Sequence, residues 1–442
     1  MSPRPGSIPA PTRPQAPASC GAATLVTVLM LLLIAALVAV YASRAQILEQ
    51  HIATRHERAG LAFEVADAGL EWTLATLNGD LADCAADARG AAWRDRLLRG
   101  ADALPGPSRG AAAAAPVIAA SCTRPADDAW RCRCATDGGD PGDAAPTPTV
   151  GAGLAPGFRV ALRRADGPDG PPHRAARTGP WRVDAYGCSD AAACASGAAA
   201  PPEHDAVHAR LSVALLGALR QVPAAPLIVR GRVGGALAGL GLHNTSPASA
   251  GLLLVSGGPL PAAAPAHLDS LPGTAAWQVL IGDDAGLAGP AEALFRRLFG
   301  MTPEAYRGHP ALRILDCRGR CGDAVHKAWR AGARMLWLRG EVELDAGAEL
   351  GSDAAPLLAI VDGDARLSGP LRLHGLVYAR GDLAWHNGSG TAARLDGALV
   401  AEGKADFDGP IDLWYRTAPL QALAAATGSI VRVPGSWIDG DD

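Results

Sequence analysis

Ala22 to Tyr41 contains no charged residue and no proline. At the helical rise of about 1.5 Å per residue the run spans about 30 Å, the thickness of a bilayer's hydrocarbon core. A cleaved secretory peptide has a shorter apolar region that ends at a small-residue cleavage site. Here the run passes directly into a helical pattern, so it reads as a retained anchor. No proline occurs between Pro17 and Pro105. Ile47, Ile52, Leu61, Phe63, Val65, Leu70, Trp72, Leu74 and Leu77 supply apolar positions, with Glu49, Arg55, Glu57, Arg58, Glu64 and Glu71 among them. Asn78-Gly79 supplies a stop signal. The expected product is a single helix of well over about fifty residues, half in lipid and half outside.

The cysteines orient this anchor. Cys20 stands alone before the apolar run, and eight follow it: Cys84, Cys122, Cys132, Cys134, Cys188, Cys194, Cys317 and Cys321. An even number on one side of a membrane segment implies disulfides in an oxidising compartment, which orients a single-pass anchor with its N-terminus inside and its C-terminal domain outside. Arginines lie on both sides of the run and decide nothing. Cys188–Cys194 and Cys317–Cys321 would close small local loops. Cys132 and Cys134 are too close in sequence to pair comfortably, so each is expected to reach Cys84 or Cys122. Cys317-Arg-Gly-Arg-Cys321 lacks a second ligand pair at zinc-finger spacing, and its arginines would repel a cation. Cys20 is not a lipoprotein site, because lipid attachment needs the apolar stretch before the cysteine.

Gly21 followed by Ala-Ala-Thr-Leu-Val-Thr-Val-Leu resembles a prepilin peptidase site, with the cut between Gly21 and Ala22. Leu61-Ala62-Phe63-Glu64-Val65-Ala66-Asp67-Ala68-Gly69-Leu70-Glu71 resembles the signature after the membrane helix of PilX-type minor pilins. Val433-Pro434-Gly435-Ser436-Trp437-Ile438-Asp439 resembles that family's C-terminal ending, with Ile438 where Arg is usual. Most pilins carry Glu at the fifth mature position; this chain has Val26, as PilX-like members often do not keep that Glu. The residue before Gly21 is Cys20, where a charged or polar residue is more usual. The resemblance implies a spine helix packed on a small antiparallel sheet, with Phe63 and Trp72 on the part of the helix that meets the sheet. It also implies prepilin peptidase, the inner membrane, other minor and major pilins and a large pilus-tip adhesin as partners.

The ectodomain carries strand signals. Phe158–Leu162, Trp181–Gly187 and Ala209–Leu215 alternate apolar and polar residues, as a half-buried sheet requires. The stretch from Ala82 to Pro156 reads mostly as loops, with a short helix ending near Leu97–Leu98. Further on, short apolar strands end at a glycine and resume: 227–231, 253–257, 336–340, 359–363, 377–381 and 399–403. The last four recur at steps of about 20 residues, the period of stacked single rungs in a β-solenoid. One rung cannot bury its apolar side alone, whereas stacked rungs share a core. An antiparallel meander is the alternative. Pro290–Phe299 and Val325–Ala333 read as amphipathic helices of an inserted subdomain.

The expected fold is therefore α+β. Residues 1–21 form a leader and 22–80 the transmembrane and spine helix. Residues 81–222 form a pilin-like antiparallel sheet with disulfide-bearing loops. The first β rungs occupy 223–260, a helical insertion 261–334, β-solenoid-like rungs 335–415 and a C-terminal tail 416–442.

Catalytic signatures such as His-Glu-x-x-His, a P-loop, Gly-x-Ser-x-Gly or a dinucleotide fingerprint do not occur. A net charge of −4 leaves no electrostatic footprint for nucleic acid. His204 and His208 are four apart but follow Pro201-Pro202 and have no third ligand. Asp362-Gly363-Asp364 and Asp406-Phe407-Asp408-Gly409 resemble calcium loops, yet their spacing departs from the EF-hand template, so ordinary turns and no cofactor are expected.

The leading function is a non-enzymatic minor pilin that helps initiate type IV pilus assembly, presents a tip adhesin and thereby supports adhesion and motility. The alternatives are the large minor pseudopilin of a type II secretion tip and a membrane-anchored carbohydrate-active solenoid. The last would use Asp396, Glu402, Asp406 and Asp408 as groove carboxylates.

Overall fold

The computed structural model describes residues 21–79, 93–99, 118–124, 129–134, 155–164, 179–191, 194, 206–260, 265, 267–345, 347 and 349–440. The leader residues 1–20, with Cys20, and the expected sites Cys84 and His204 lie outside the described residues.

Helix α1 runs unbroken from Gly21 to Asn78, 58 residues. Its first half is exposed all round. Its second half buries Ala62, Val65, Ala66, Leu70, Thr73 and Leu77, a stripe at three- and four-residue spacing. A short helix, α2 (Trp93–Arg99), packs beside it. Strands β1 (Ile118–Thr123), β2 (Arg131–Cys134), β3 (Gly157–Arg164), β4 (Trp181–Cys188) and β5 (Ala206–Gly217) form an antiparallel sheet in the order β2-β1-β3-β4-β5. Phe158, Val160, Leu162, Trp181, Val183, Leu211 and Val213 face the helix and make one core with it. The expectation of loops between Ala82 and Pro156 missed β1 and β2. Ile118–Thr123 is buried at five successive positions, so it shows no alternation, and its Ala-Ala-Ser-Cys centre carries little strand signal.

Residues 218–427 then leave this sheet and build a parallel β-solenoid. The strands are β6 (Leu227–Val229), β7 (Val233–Gly235), β8 (Leu240–His243), β9 (Leu254–Ser256), β10 (His267–Asp269) and, after the short helix α3 (Ala276–Val279), β11 (Leu280–Ile281). Helices α4 (Ala291–Phe299) and α5 (Pro303–Tyr306) follow, then β12 (Leu312–Arg320), helix α6 (Gly322–Arg330) and β13 (Met335–Leu344). The remaining strands are β14 (Leu357–Val361), β15 (Ala365–Ser368), β16 (Arg372–Ala379), β17 (Leu383–His386), β18 (Ala393–Ala401), β19 (Ala405–Asp408) and β20 (Ile411–Trp414). Every described pair among these strands is parallel, as rungs require and a meander forbids. After helix α7 (Thr417–Ala425) the chain returns to the first sheet as β21 (Gly428–Arg432) and β22 (Ile438–Asp439), both antiparallel to β5. Gly217 and Gly428 are register partners, so the solenoid leaves and rejoins the pilin-like sheet at one point.

One feature goes beyond the sequence reading and one differs from it. The rungs do not stack in chain order. β6, β7 and β8 lie beside β18, β19 and β20, so the first rungs dock on the last. The segment 261–334 is also not a separate helical insertion. It contributes β10, β11 and β12 to the stack, while α4 and α5 cover the column formed by β13, β14, β16 and β18. That column is buried on both sides. Leu336, Leu338, Ala359, Val361, Val377 and Leu399 face the solenoid interior. Trp337, Ile360 and Tyr378 face outward beneath Phe295, Phe299 and Tyr306. Burial on both faces explains why these strands read as continuous apolar runs. The interior is closed at one end by Val325 and Ala328 of α6 and at the other by Val279 of α3. At the corner before this column Gly397 has φ +151°, and a Cβ there would lie 1.7 Å from the Gly375 carbonyl oxygen, so the tight stacking of rungs needs glycine.

Candidate functional site

The site with functional shape is the spine helix and its seat. From Leu25 to Tyr41 every large apolar side chain of α1 is more than half exposed, Val26 included at 54%. An 18-residue window there reaches a mean hydropathy of 2.8, making this helix long and apolar enough to cross a membrane. The second half is held close to the sheet. A Cβ on Gly187 of β4 would sit 2.2 Å from both the Ala62 carbonyl oxygen and the Ala66 nitrogen, so only glycine lets strand and helix approach this far. Gly69 does the same more loosely, with Phe158 ring carbons 3.0 and 3.1 Å from its virtual Cβ.

The helix end is locked by Asn78. Its Oδ1 accepts from Ile430 N at 2.7 Å and Ser429 Oγ at 3.0 Å. Its Nδ2 donates to Ile430 O at 2.8 Å and Leu74 O at 3.0 Å. All four polar valences are used, and three of the bonds reach β21. Arg94 of α2 donates to the carbonyls of Ala426 and Gly428 at 3.1 and 2.8 Å, and Arg432 pairs with Glu71. The C-terminal Pro434-Gly435-Ser436-Trp437 turn completes the seat. Ser436 Oγ accepts from Ser212 N at 3.0 Å and faces the Val433 and Ser212 carbonyls at 2.6 and 3.2 Å. Trp437 meets Phe63 edge-on, centroids 6.0 Å apart.

This geometry separates the two aromatics expected at the sheet. Trp72 is in the core layer, 5.4 Å from Trp93 and 5.7 Å from Phe158. Phe63 is 40% exposed and touches the tail instead, because it lies off the Ala62–Ala66–Leu70 stripe. Of the stripe residues, Val65, Leu70 and Leu77 were legible as apolar positions, whereas Ala62 and Ala66 carried little signal in the sequence.

Disulfides brace the ectodomain. Cys122 bonds Cys132 across β1 and β2, Cys188 bonds Cys194 and Cys317 bonds Cys321. Cys134 is disulfide-bonded as well. On the outer face of the pilin-like sheet Asp184 is surrounded by Arg163, Arg182, Arg210 and His208. Burial pushes its carboxyl up, but hydrogen bonds from His208 and Arg210 and the charge of Arg182 outweigh this and hold it below the usual carboxylate value. His208, once paired with His204 as a candidate metal ligand, belongs to this cluster and stacks on Tyr186 at 4.3 Å.

Each of the four candidate groove carboxylates has a partner of its own. Asp396 takes two bonds from Arg394 at 2.7 and 2.8 Å. Glu402 is buried at the next corner and accepts from Tyr378 Oη at 2.6 Å. Burial pushes the Glu402 carboxyl up against the opposing pull of that hydrogen bond and of Arg380 and Arg230. Asp406 lies 3.2 Å from Lys404 Nζ, and Asp408 lies 3.8 Å from His386 Nδ1. The loop carrying Asp362 and Asp364 is likewise committed, with Asp364 Oδ1 accepting from the Asp382 amide at 2.8 Å.

Residues 21–71 match the family model of the PilX N-terminal domain. The match begins at Gly21, covers the whole exposed apolar half of α1, and reaches through Ala62, Val65, Ala66 and Leu70 of the seat. It supports a PilX-type, type IV pilus-related pilin that associates with other pilus components. Neither the curated proteins nor the solved structures gave a match to the chain. The PilX resemblance thus rests on the helix, while the solenoid inserted between β5 and β21 is described by its geometry alone.

Proposed function

We propose that the chain is a minor pilin that takes part in initiating type IV pilus assembly and presents a large tip adhesin, after prepilin peptidase cuts between Gly21 and Ala22. The observation that carries this reading is the division of one helix into two halves. The N-terminal half offers apolar surface in every direction, suited first to the inner membrane and then to the helices of other pilins. The C-terminal half is fixed to a sheet by Gly187 and Asn78, so a pull on the helix is transmitted to the ectodomain. Val26 at the fifth mature position removes the carboxylate that most pilins carry there. The ectodomain lies in the periplasm before assembly. Its solenoid leaves and returns at Gly217–Gly428, which lets a large module ride on the pilin sheet without interrupting it. The proposed role is structural, without catalysis or cofactor, and each of the four candidate groove carboxylates already has a partner: Arg394, Tyr378, Lys404 and His386.

Deleting the gene tests the reading. Surface pili and pilus-dependent motility should fall and return on complementation. Full piliation in a deletion strain without a paralogue would refute it. Gly21→Val should leave a larger, unprocessed species in membranes, and migration like wild type would refute the cleavage assignment.

A further inference from the structure

The solenoid's side-chain columns run out at β12. One column is apolar: Tyr378, Ile360, Trp337 and Ile314 are successive register partners, and Ile314 ends it 40% exposed. The next pairs Arg339 with Asp316, which it bonds at 2.8 and 3.1 Å. A third alternates in sign: Arg366, Glu343 and Arg320 are successive partners. Beside it Glu341 is the partner of Arg318. Each column therefore ends on an exposed residue of β12 whose register partner occupies the rung behind it, and Arg320 also reaches Asp345 at 3.2 Å while staying largely exposed.

The edge itself is also open. β12 pairs with β13 over all nine of its residues, and among the described residues with no other strand. Its amides and carbonyls on the far side thus offer a ladder. Natural edges are blunted by short strands, bulges or covering elements. At the opposite end of the solenoid β10 and β11 have three and two residues. β12 is long, and it is held in place rather than covered. Helix α6 closes the core behind it with Val325 and Ala328, and the Cys317–Cys321 disulfide ties the strand to the start of that helix. A fixed, extended edge loses little freedom when another strand joins it.

We propose that β12 is a docking edge for an extended segment of a partner protein, which adds in parallel as one further rung. The columns specify its chemistry at alternating positions: an apolar residue opposite Ile314, a cation opposite Asp316, and acids opposite Arg318 and Arg320. Main-chain hydrogen bonds supply affinity in such strand addition, and the alternating side chains supply selection. This surface is separate from the spine helix, and the proposal does not rest on the assembly reading.

The test uses the full chain in detergent and a fluorescein-labelled peptide, Ser-Val-Thr-Lys-Thr-Glu-Thr-Glu-Ser, followed by anisotropy. The charge-reversed peptide, Ser-Val-Thr-Glu-Thr-Lys-Thr-Lys-Ser, is the control. The first should bind, and the second at least about ten-fold more weakly, since like charges placed opposite one another select against the wrong partner. Arg318→Glu with Arg320→Glu should invert that order. If the double variant does not fold, the two peptides on the wild-type chain still decide. The proposal is overturned if both peptides bind alike, if neither binds below about 1 mM, or if polyglutamate competes as well as the unlabelled peptide. The last outcome would mark a general anion-binding patch.

Discussion

Arg230 Nε donates to the backbone carbonyl of Glu402 at 2.9 Å, across 172 residues of sequence. The bond spans the seam where the first rungs dock on the last. Leu227 beside Leu399, Val233 beside Ala405 and Leu240 beside Ile411 continue the same join. The seam makes the solenoid cooperative between its beginning and its end. Removing residues 393–440 should therefore unfold the rungs formed by 227–281 as well. Limited proteolysis would read this as cleavage within 227–281 that the full chain resists.

The helix seat gives a graded series. Trp72→Ala removes a core aromatic and should cost about 3–5 kcal/mol. Phe63→Ala touches only the tail and should cost about 1 kcal/mol, near the value of a single aromatic contact. Asn78→Ala leaves the Ile430 amide and carbonyl without their partner and should cost about 2 kcal/mol. Thermal unfolding of the three variants should rank them Trp72, Asn78, Phe63 in order of damage.

Gly187→Val should be the most damaging substitution in the sheet. Its Cβ position is already occupied by the helix backbone at 2.2 Å, and backbone cannot rotate aside. Overpacking of this kind costs about 3 kcal/mol or more. The variant should remain in the membrane through its intact apolar half, yet fail to enter fibres. Membrane fractionation and shear preparation of pili would separate the two outcomes.

Two buried carboxyls, Asp184 and Glu402, respond to pH with opposite signs. Asp184 is held below its ordinary value of 3.8, so its contribution is present above that pH and is lost as pH falls through the lowered pKa. Asp184→Asn should therefore lose stability at neutral pH and lose less than wild type on acidification. Glu402 is raised above its ordinary 4.5, so its contribution is complete below that pH and declines as pH rises through the raised pKa. Glu402→Gln should flatten that decline. Melting temperatures from pH 3 to pH 8 (a range of about five units) would distinguish them.

The disulfides predict a labelling pattern. Alkylation of the folded protein, isolated from cells without reductant, should leave Cys122, Cys132, Cys134, Cys188, Cys194, Cys317 and Cys321 unmodified. Modification of Cys188 or Cys317, detected by mass spectrometry, would count against an oxidising compartment.

The long helix, its stop at Asn78, and the apolar rung strands were legible in the sequence because each is a local property. A helix needs only its own periodicity and the absence of proline, and a rung needs only an apolar run that stops at a turn. The pairing of Cys188 with Cys194 and of Cys317 with Cys321 followed from short loops for the same reason. The seam was not legible. Leu227–Val229 and Leu399–Ala401 are alike in character, and nothing local says which rung is whose neighbour. The Ala62–Ala66 contact with Gly187 was equally hidden, since alanine and glycine carry little periodic signal and matter only when another backbone arrives. The same holds for Ser436 and Trp437, whose ending resembled a family motif but whose partners, Ser212 and Phe63, are assigned by the fold. Sequence determined the long helix and the apolar rung strands. Tertiary structure alone decided their order in space, because parallel rungs bury the same apolar surface against any neighbour and the choice rests on long-range fit.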